Sequence, residues 1–257
     1  MLTNTFCGMG GIGPEAERRL WANGILTWND YRREGRSCFS PGKHSQILRD
    51  LDEAEDHLRL GTRGLNWFLD KLPVSHHCRL HPHILDCCLY LDIETTGLEK
   101  NSIITLLTVS NGKERQTFIK DRDFEDCREI LRSAKIFITF NGRSFDIPRL
   151  RRVVNLPLYQ PNIDLRYVFK GWGLTGGQKK IEKILGIGRP GETASFLGAD
   201  AIQLWNEYQN GTDNALNLLI QYNQNDVIGL EKLFLLLYNE SMKGFPWSGK
   251  SYTFSFA

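Results

Sequence analysis

Two acids stand two residues apart at the end of an apolar run, Asp92 and Glu94 in LYLDIE. If the run is a strand, its period of two puts both carboxylates on one face. Burying unpaired charge is costly. A hard divalent cation such as Mg²⁺ or Mn²⁺, which takes oxygen ligands, would remove the cost; solvation at the strand end is the alternative. Asp146 follows a second apolar run, KIFITF, in the turn NGRSFD. Taken alone it reads as an acid that starts a helix and complements its dipole. Tyr222 and Asp226 lie four apart in a long helical pattern and so share a face. Ile220, Val227 and Leu230 mark that helix as largely buried. An acid midway along it needs a partner, either a metal or a salt bridge or hydrogen bond within the core.

The elements that would carry these residues can be read from pattern. Gly11-Ile12-Gly13-Pro14 opens a helix to about 21, with Pro14 at the favoured first position. Thr27 caps a short helix over WNDYRR. Ser40-Pro41 starts another helix carrying Ile47, Leu48, Leu51 and Leu58, and a short one over about 64–72 stops at Pro73. From about 85 the pattern turns to strands: LDCCLYLDIE, then IITLLTVSN and RQTFIK joined by the hairpin signal Asn111-Gly112. A helix over 123–133, the strand KIFITF, a helix over 144–153, the short strand NID and a helix over 165–170 follow. The Gly-rich GWGLTGGQ leads into the helix KKIEKILG. Two more helices cover 199–209 and 213–240, the last capped by Asp213. Strands in series and then alternating with helices predict an α/β fold, a mixed sheet flanked by helices.

Composition bounds the function classes. The chain has 257 residues, 41% hydrophobic and 24% charged, which excludes a disordered charged tail protein. Lys and Arg total 32 against 30 acids, so bulk charge does not announce a polyanion partner. No run of about 18 apolar residues predicts a membrane span. The start MLTNTFCGMGG carries no secretory pattern. The six cysteines are therefore expected as free thiols in a reducing, cytoplasmic compartment.

In order, YLDIETTGL, NGRSFDIPRL and YNQND resemble the three motifs of DEDD-type 3′–5′ exonucleases of the ribonuclease H-like superfamily. Tyr222, four before Asp226, resembles the Tyr-bearing branch. NGRSFDIPRL is similar to the second motif of the proofreading domain of family B DNA polymerases. The stretch from GQKKIEKILGI through Leu204-Trp205 is closer to YprB-type domains, which often carry a His where this chain has Tyr222. The resemblance covers about 85–240. It implies that Asp92, Glu94, Asp146 and Asp226 hold two divalent cations, Mg²⁺ or Mn²⁺, about 3.5–4 Å apart. It further implies that Tyr222 orients the attacking water, that Thr95, Gly97 and Leu98 line the terminal nucleotide, and that Asn141 contacts the substrate backbone. The implied partner is nucleic acid with a 3′ end, single-stranded DNA favoured over RNA, and the implied product is a nucleoside 5′-monophosphate.

The segment FCGMGGIGPEAERRL resembles the second half of a helix-hairpin-helix, with Gly11 and Gly13 in the hairpin and Arg18 and Arg19 beyond it. Such a hairpin offers backbone N–H groups to phosphate; a packing module without nucleic-acid contact is the other reading. The expected organisation is a hairpin module at 1–35, a helical region at 36–84, the exonuclease domain at 85–240 and a tail at 241–257. In the tail, Tyr252, Phe254 and Phe256 either pack or stack on bases. His76, His77, Cys78, His81, His83, Cys87 and Cys88 crowd together without a CxxC spacing, and read as loop histidines and buried thiols rather than a zinc site. Arg143, Arg149, Arg151, Arg152, Lys179 and Lys180 suit phosphate contact or a solvated face, and Asp164 suits a helix cap. The rival function is a catalytically silent nucleic-acid-binding or scaffold protein. The presence of all four acids and the Tyr favours catalysis; protein partners are left open.

Overall fold

The computed structural model describes residues 2–155 and 159–245. The aromatic tail lies outside the described residues. The chain forms two compact units, one of residues 1–84 with 235–257, the other of 85–234.

The first unit is helical: α1 (Pro14–Ala22), α2 (Trp28–Glu34), α3 (Pro41–Arg59), α4 (Leu65–Lys71) and α5 (His81–Ile84). Residues 1–35 and 36–84 both lie in it. Pro14 occupies the first turn of α1, and Thr27 forms a reciprocal capping box with Asp30. Phe6, Trp28 and Tyr31 are buried at its centre. Two buried acids organise it. Glu17 accepts from Phe6 N at 2.7 Å and from both Arg79 guanidinium ends at 2.9 and 2.8 Å. Asp50 accepts from Gly10 N at 2.6 Å and Lys71 Nζ at 2.9 Å.

The second unit is built on five strands, β1 (Cys88–Thr95), β2 (Ile104–Ser110), β3 (Arg115–Ile119), β4 (Ile136–Thr139) and β5 (Asn162–Asp164), in the order β3-β2-β1-β4-β5. β1 pairs antiparallel with β2 and parallel with β4. The helices are α6 (Cys127–Ser133), α7 (Asp146–Val153), α8 (Leu165–Gly171), α9 (Gln178–Ile184), α10 (Gly198–Gln209) and α11 (Ala215–Lys243), the last running on into the first unit. This is the mixed sheet flanked by helices that the pattern predicts. The hairpin signal at Asn111-Gly112 closes through a longer connection, 111–114, because Asn111 Oδ1 accepts from both Lys113 N and Glu114 N. The last helix starts at Ala215, so Asn214 rather than Asp213 precedes it, its carbonyl accepting from Leu218 N.

Strand alternation divides the core. Leu89, Leu91 and Ile93 of β1 join Leu107, Phe118, Phe137 and Leu150 in one buried cluster. Full burial of each such side chain contributes roughly 1.5–3 kcal/mol. On the other face Leu106 and Ile119 meet Leu204, Trp205, Leu219 and Tyr222 of α10 and α11. Asp92 and Glu94 alternate with the first cluster and face the second. Among the described residues no helix is long and apolar enough to cross a membrane.

Candidate active site

The site is built where β1 outruns its neighbour. The β1–β4 pairing ends at Tyr90–Ile138, while β1 continues against β2 to Thr95 with a register shift between Glu94 and Thr95. Irregularities of this kind re-aim side chains beside sites. Past the end of β4, the Ile93 N–H points to no strand partner on that side. Asp146, the first residue of α7, takes it: Asp146 Oδ1 accepts from Ile93 N at 3.2 Å. The third acid of the sequence reading thereby sits one peptide from the first two. Asp226, on α11, completes the group; carboxylate oxygens of Asp92, Glu94 and Asp226 lie within 4.8 Å of one another.

The electrostatics of this cluster are those of crowded buried acids. Burial, with the charge of Asp226 next, holds Asp92 and Glu94 well above the ordinary carboxylate range. Burial pushes Asp146 up to about 7. Asp226 is raised by burial too, though Arg189 and Lys179 oppose the rise. Asp92, Glu94 and Asp226 floor a cavity of about 220 Å³, with Tyr222, Thr95, Leu98, Phe145 and Gln178 on its walls; Asp146 is not among the lining residues. A larger cavity of about 650 Å³ lies at the other end of β1, around Cys87, Ser110 and Glu114, away from the four acids.

The chain matches the family described as RNase_H superfamily over residues 89–238. It belongs to the RNase H superfamily. Among solved structures it is similar to the family B DNA polymerase from the hyperthermophilic archaeon Pyrobaculum calidifontis, at 18% identity and a TM-score of 0.48. That match covers 63% of this chain and only 26% of the polymerase. No curated protein matches the chain.

In this RNase H superfamily chain the motif YNQND is used at every position. Tyr222 lines the cavity, with Lys179 Nζ 4.0 Å from its ring centre. Asn223, fully buried, donates to Asp92 Oδ2 at 2.7 Å and more weakly to Glu94 Oε1 at 3.5 Å. Gln224 donates to Thr117 of β3, and Asn225 to Pro190 O and Thr193 Oγ1. Asp226 receives Arg189 Nη2 at 2.7 Å. The salt bridge foreseen as an alternative for Asp226 therefore exists. The donor set nonetheless suits a hard cation: three converging carboxylates face two cations, Arg189 and Lys179, and one neutral amide, fewer positive charges than acids.

The other expected contact residues have individual placements. Thr95 and Leu98 line the cavity, and Leu98 is 80% exposed. Gly97 is not among the lining residues; its carbonyl accepts from Thr95 Oγ1 at 2.6 Å. Asn141 is also outside the lining; with φ 67° it turns the chain, and its Oδ1 accepts from Arg166 Nη1 at 2.7 Å. Asp164 caps α8 and accepts from Asn141 N and Arg143 N. Arg149 and Arg152 tie down the β1–β2 connection, donating to the carbonyls of Leu98, Glu99 and Lys100. Lys179 donates to the Phe196 carbonyl.

Gly11 and Gly13 lie in the first unit, where the N–H groups of Gly8, Gly10, Gly11 and Ile12 are all taken by internal acceptors. The histidine and cysteine crowd at 76–88 serves packing: His77 bonds to Leu69 O, His81 stacks on Tyr238, and Cys78 and Cys88 donate to nearby carbonyls. Cys7, Glu17 and His76 also converge, but both Glu17 oxygens are paired with Arg79 and burial pushes the Cys7 thiol up to about 12. All six cysteines are free.

Sequence reasoning missed Arg189, Glu182, Gln178 and Asn223. Asn223 had a signal, a polar residue beside Asp226 in an apolar helix. Arg189 had only its setting in the Gly/Pro segment GIGRPGE.

Proposed function

We propose that the chain is a metal-dependent 3′–5′ exonuclease that hydrolyses phosphodiester bonds of nucleic acid, DNA favoured over RNA, and releases nucleoside 5′-monophosphates. The observation that carries the reading is the convergence of Asp92, Glu94 and Asp226 within 4.8 Å, with Asp146 one peptide away. Membership of the RNase H superfamily supports a nuclease.

Asp92, Glu94 and Asp226 would hold one divalent ion, and Asp92 with Asp146 a second. When bound, the ions supply positive charge to a phosphodiester under attack. The protein residues do the rest. Asn223 donates to Asp92 and Glu94 and fixes their orientation. Tyr222 carries one hydroxyl proton with which to orient a water on the Asp226 side. Burial holds that phenol well above its usual range, so it stays protonated and acts as a donor. Leu98 and Phe145 give the terminal base apolar surface at the cavity wall.

The pairing of Asp226 with Arg189 favours a second reading, a silent nucleic-acid-binding protein whose acids are satisfied by its own cation. Digestion of 3′- and 5′-labelled DNA and RNA oligonucleotides with and without Mg²⁺ or Mn²⁺ separates them. The expected result is shortening from the 3′ end only with metal, abolished in Asp92→Ala. Cleavage without metal, or full activity in Asp92→Ala, refutes the exonuclease. Binding without cleavage under any metal supports the silent protein.

A further inference from the structure

Three side chains outside the acid group, Arg189, Glu182 and Gln178, form one hydrogen-bonded assembly at Asp226. Arg189 Nη2 donates to Asp226 Oδ1 at 2.7 Å. The same guanidinium is gripped by Glu182, through Nε to Oε2 and through Nη2 to Oε1 at 3.0 Å. Gln178 Nε2 donates to Glu182 Oε1 at 2.8 Å and to the Asp226 carbonyl at 2.7 Å. Arg189 and Glu182 side chains are only 7% and 2% exposed.

Two features show that the chain makes room for this assembly. Gly229 stands within α11, one turn beyond Asp226, and a Cβ there would overlap Glu182 Oε1 and Gln178 Nε2. Glycine in a helix interior is unfavourable, so its place here is explained by that close approach. The segment that delivers Arg189 is itself bolted to α11, since Asn225 donates to Pro190 O and Thr193 Oγ1.

A buried ion pair does not by itself imply a stable one, and Arg189 Nη1 is buried with no hydrogen-bond partner among the described residues. Glu182 offsets its charge only in part, since Arg189 still opposes the rise of both Asp226 and Asp92. Besides that charge, Arg189 supplies a directed donor to one carboxylate oxygen of Asp226. Groups behind a metal ligand commonly orient it in this way.

We propose that Arg189, clamped by Glu182 and Gln178 over Gly229, is a positioning residue that fixes the Asp226 carboxylate for metal binding. The proposal rests on the metal-dependent reading above. It assigns Arg189 no contact with substrate.

Mn²⁺ affinity measured by calorimetry on the full chain tests it, with thermal unfolding run beside it to confirm the fold. Asp226→Asn serves as the control for loss of a ligand. Removing the group behind a ligand typically lowers metal affinity about 10- to 100-fold. Arg189→Lys keeps the charge but not the fork that reaches both Glu182 and Asp226, so it should show a loss in that range. The double variant Arg189→Met with Glu182→Met keeps net charge and approximate volume, and guards against a variant that unfolds from one stranded charge. It should lose affinity similarly. Gly229→Ala changes no charge and should also weaken binding by displacing Glu182.

Wild-type Mn²⁺ affinity in the folded Arg189→Lys and double variants would overturn the proposal while leaving the exonuclease reading intact. Tighter binding in the double variant would overturn it too, marking Arg189 as a cation that blocks the site. If the wild-type chain itself binds no Mn²⁺, the exonuclease reading falls and the proposal with it.

Discussion

At the scale of single residues, Tyr222 and Asp226 share a helix face but carry different duties. Tyr222→Phe keeps the ring against Lys179 and Phe196 and removes only the hydroxyl. It should bind Mn²⁺ and oligonucleotide normally yet cleave roughly 10- to 1,000-fold more slowly, a few kcal/mol in the barrier. Asp226→Asn should impair metal binding itself. Single-turnover rates beside Mn²⁺ titrations check the distinction; wild-type cleavage by Tyr222→Phe would reduce Tyr222 to a core aromatic. Asp92, Glu94 and Asp226 were legible in the sequence because a charge within or ending an apolar run is locally anomalous, whereas Asp146, in the turn NGRSFD, stood out only through the resemblance of its motif. Arg189 was not, because its meaning comes from a contact with Asp226 across 37 positions of chain, made by a segment whose local pattern is only that of a loop.

At the scale of elements, the site depends on β1 being longer than β4. The strands themselves were readable from their apolar runs, but the length mismatch was not, since it is a property of pairing rather than of either segment. The same holds for the arginines of α7. As sequence they form a basic patch; in the fold Arg149 stacks on Phe145 at 3.7 Å and holds the carbonyls of Leu98 and Glu99. Arg149→Met keeps the stem and removes those donors, freeing the connection that presents Leu98. The expected outcome is a several-fold higher KM for oligonucleotide with kcat little changed, read from steady-state kinetics; an unchanged KM would show that the connection holds itself. Gly13, which precedes α1, offers a parallel test in the first unit. Its Cβ position is open and its φ of −91° admits any residue, so Gly13→Glu adds negative charge without strain. If the turn meets phosphate, this variant binds long strands more weakly and with a flatter salt dependence, while cleavage of a short oligonucleotide survives. Identical salt series for variant and wild type would leave the turn a packing module.

At the scale of the whole molecule, the two units should answer pH in opposite directions. In the first, burial alone would raise Glu17 and Asp50, but ion pairs with Arg79 and Lys71 and backbone donors leave both below the usual carboxylate range. Burial lowers His76 and His81 to about 4. All four groups bind protons more readily unfolded, so this unit loses stability as pH falls, first below the ordinary histidine value of about 6.5 and then below about 4. In the second unit the shifts run the other way. Asp92, Glu94, Asp146 and Asp226 are raised, so without metal their contribution is intact below about 4 and lost as pH rises through about 7, the value for Asp146. Mn²⁺ requires the deprotonated acids, so its stabilisation should be larger at pH 8 than at pH 5. Amide exchange separates the units, with Leu91 to Ile93 reporting on the sheet and Leu20 to Trp21 on the first unit. Between pH 5 and 8 in metal-free buffer, after correction for intrinsic exchange, protection should fall in β1 and hold or rise in α1. Mn²⁺ should restore β1 protection in the wild type and not in Asp226→Asn. A flat β1 profile, or equal restoration in that variant, would mean that the acid cluster does not govern the stability of the unit that carries it.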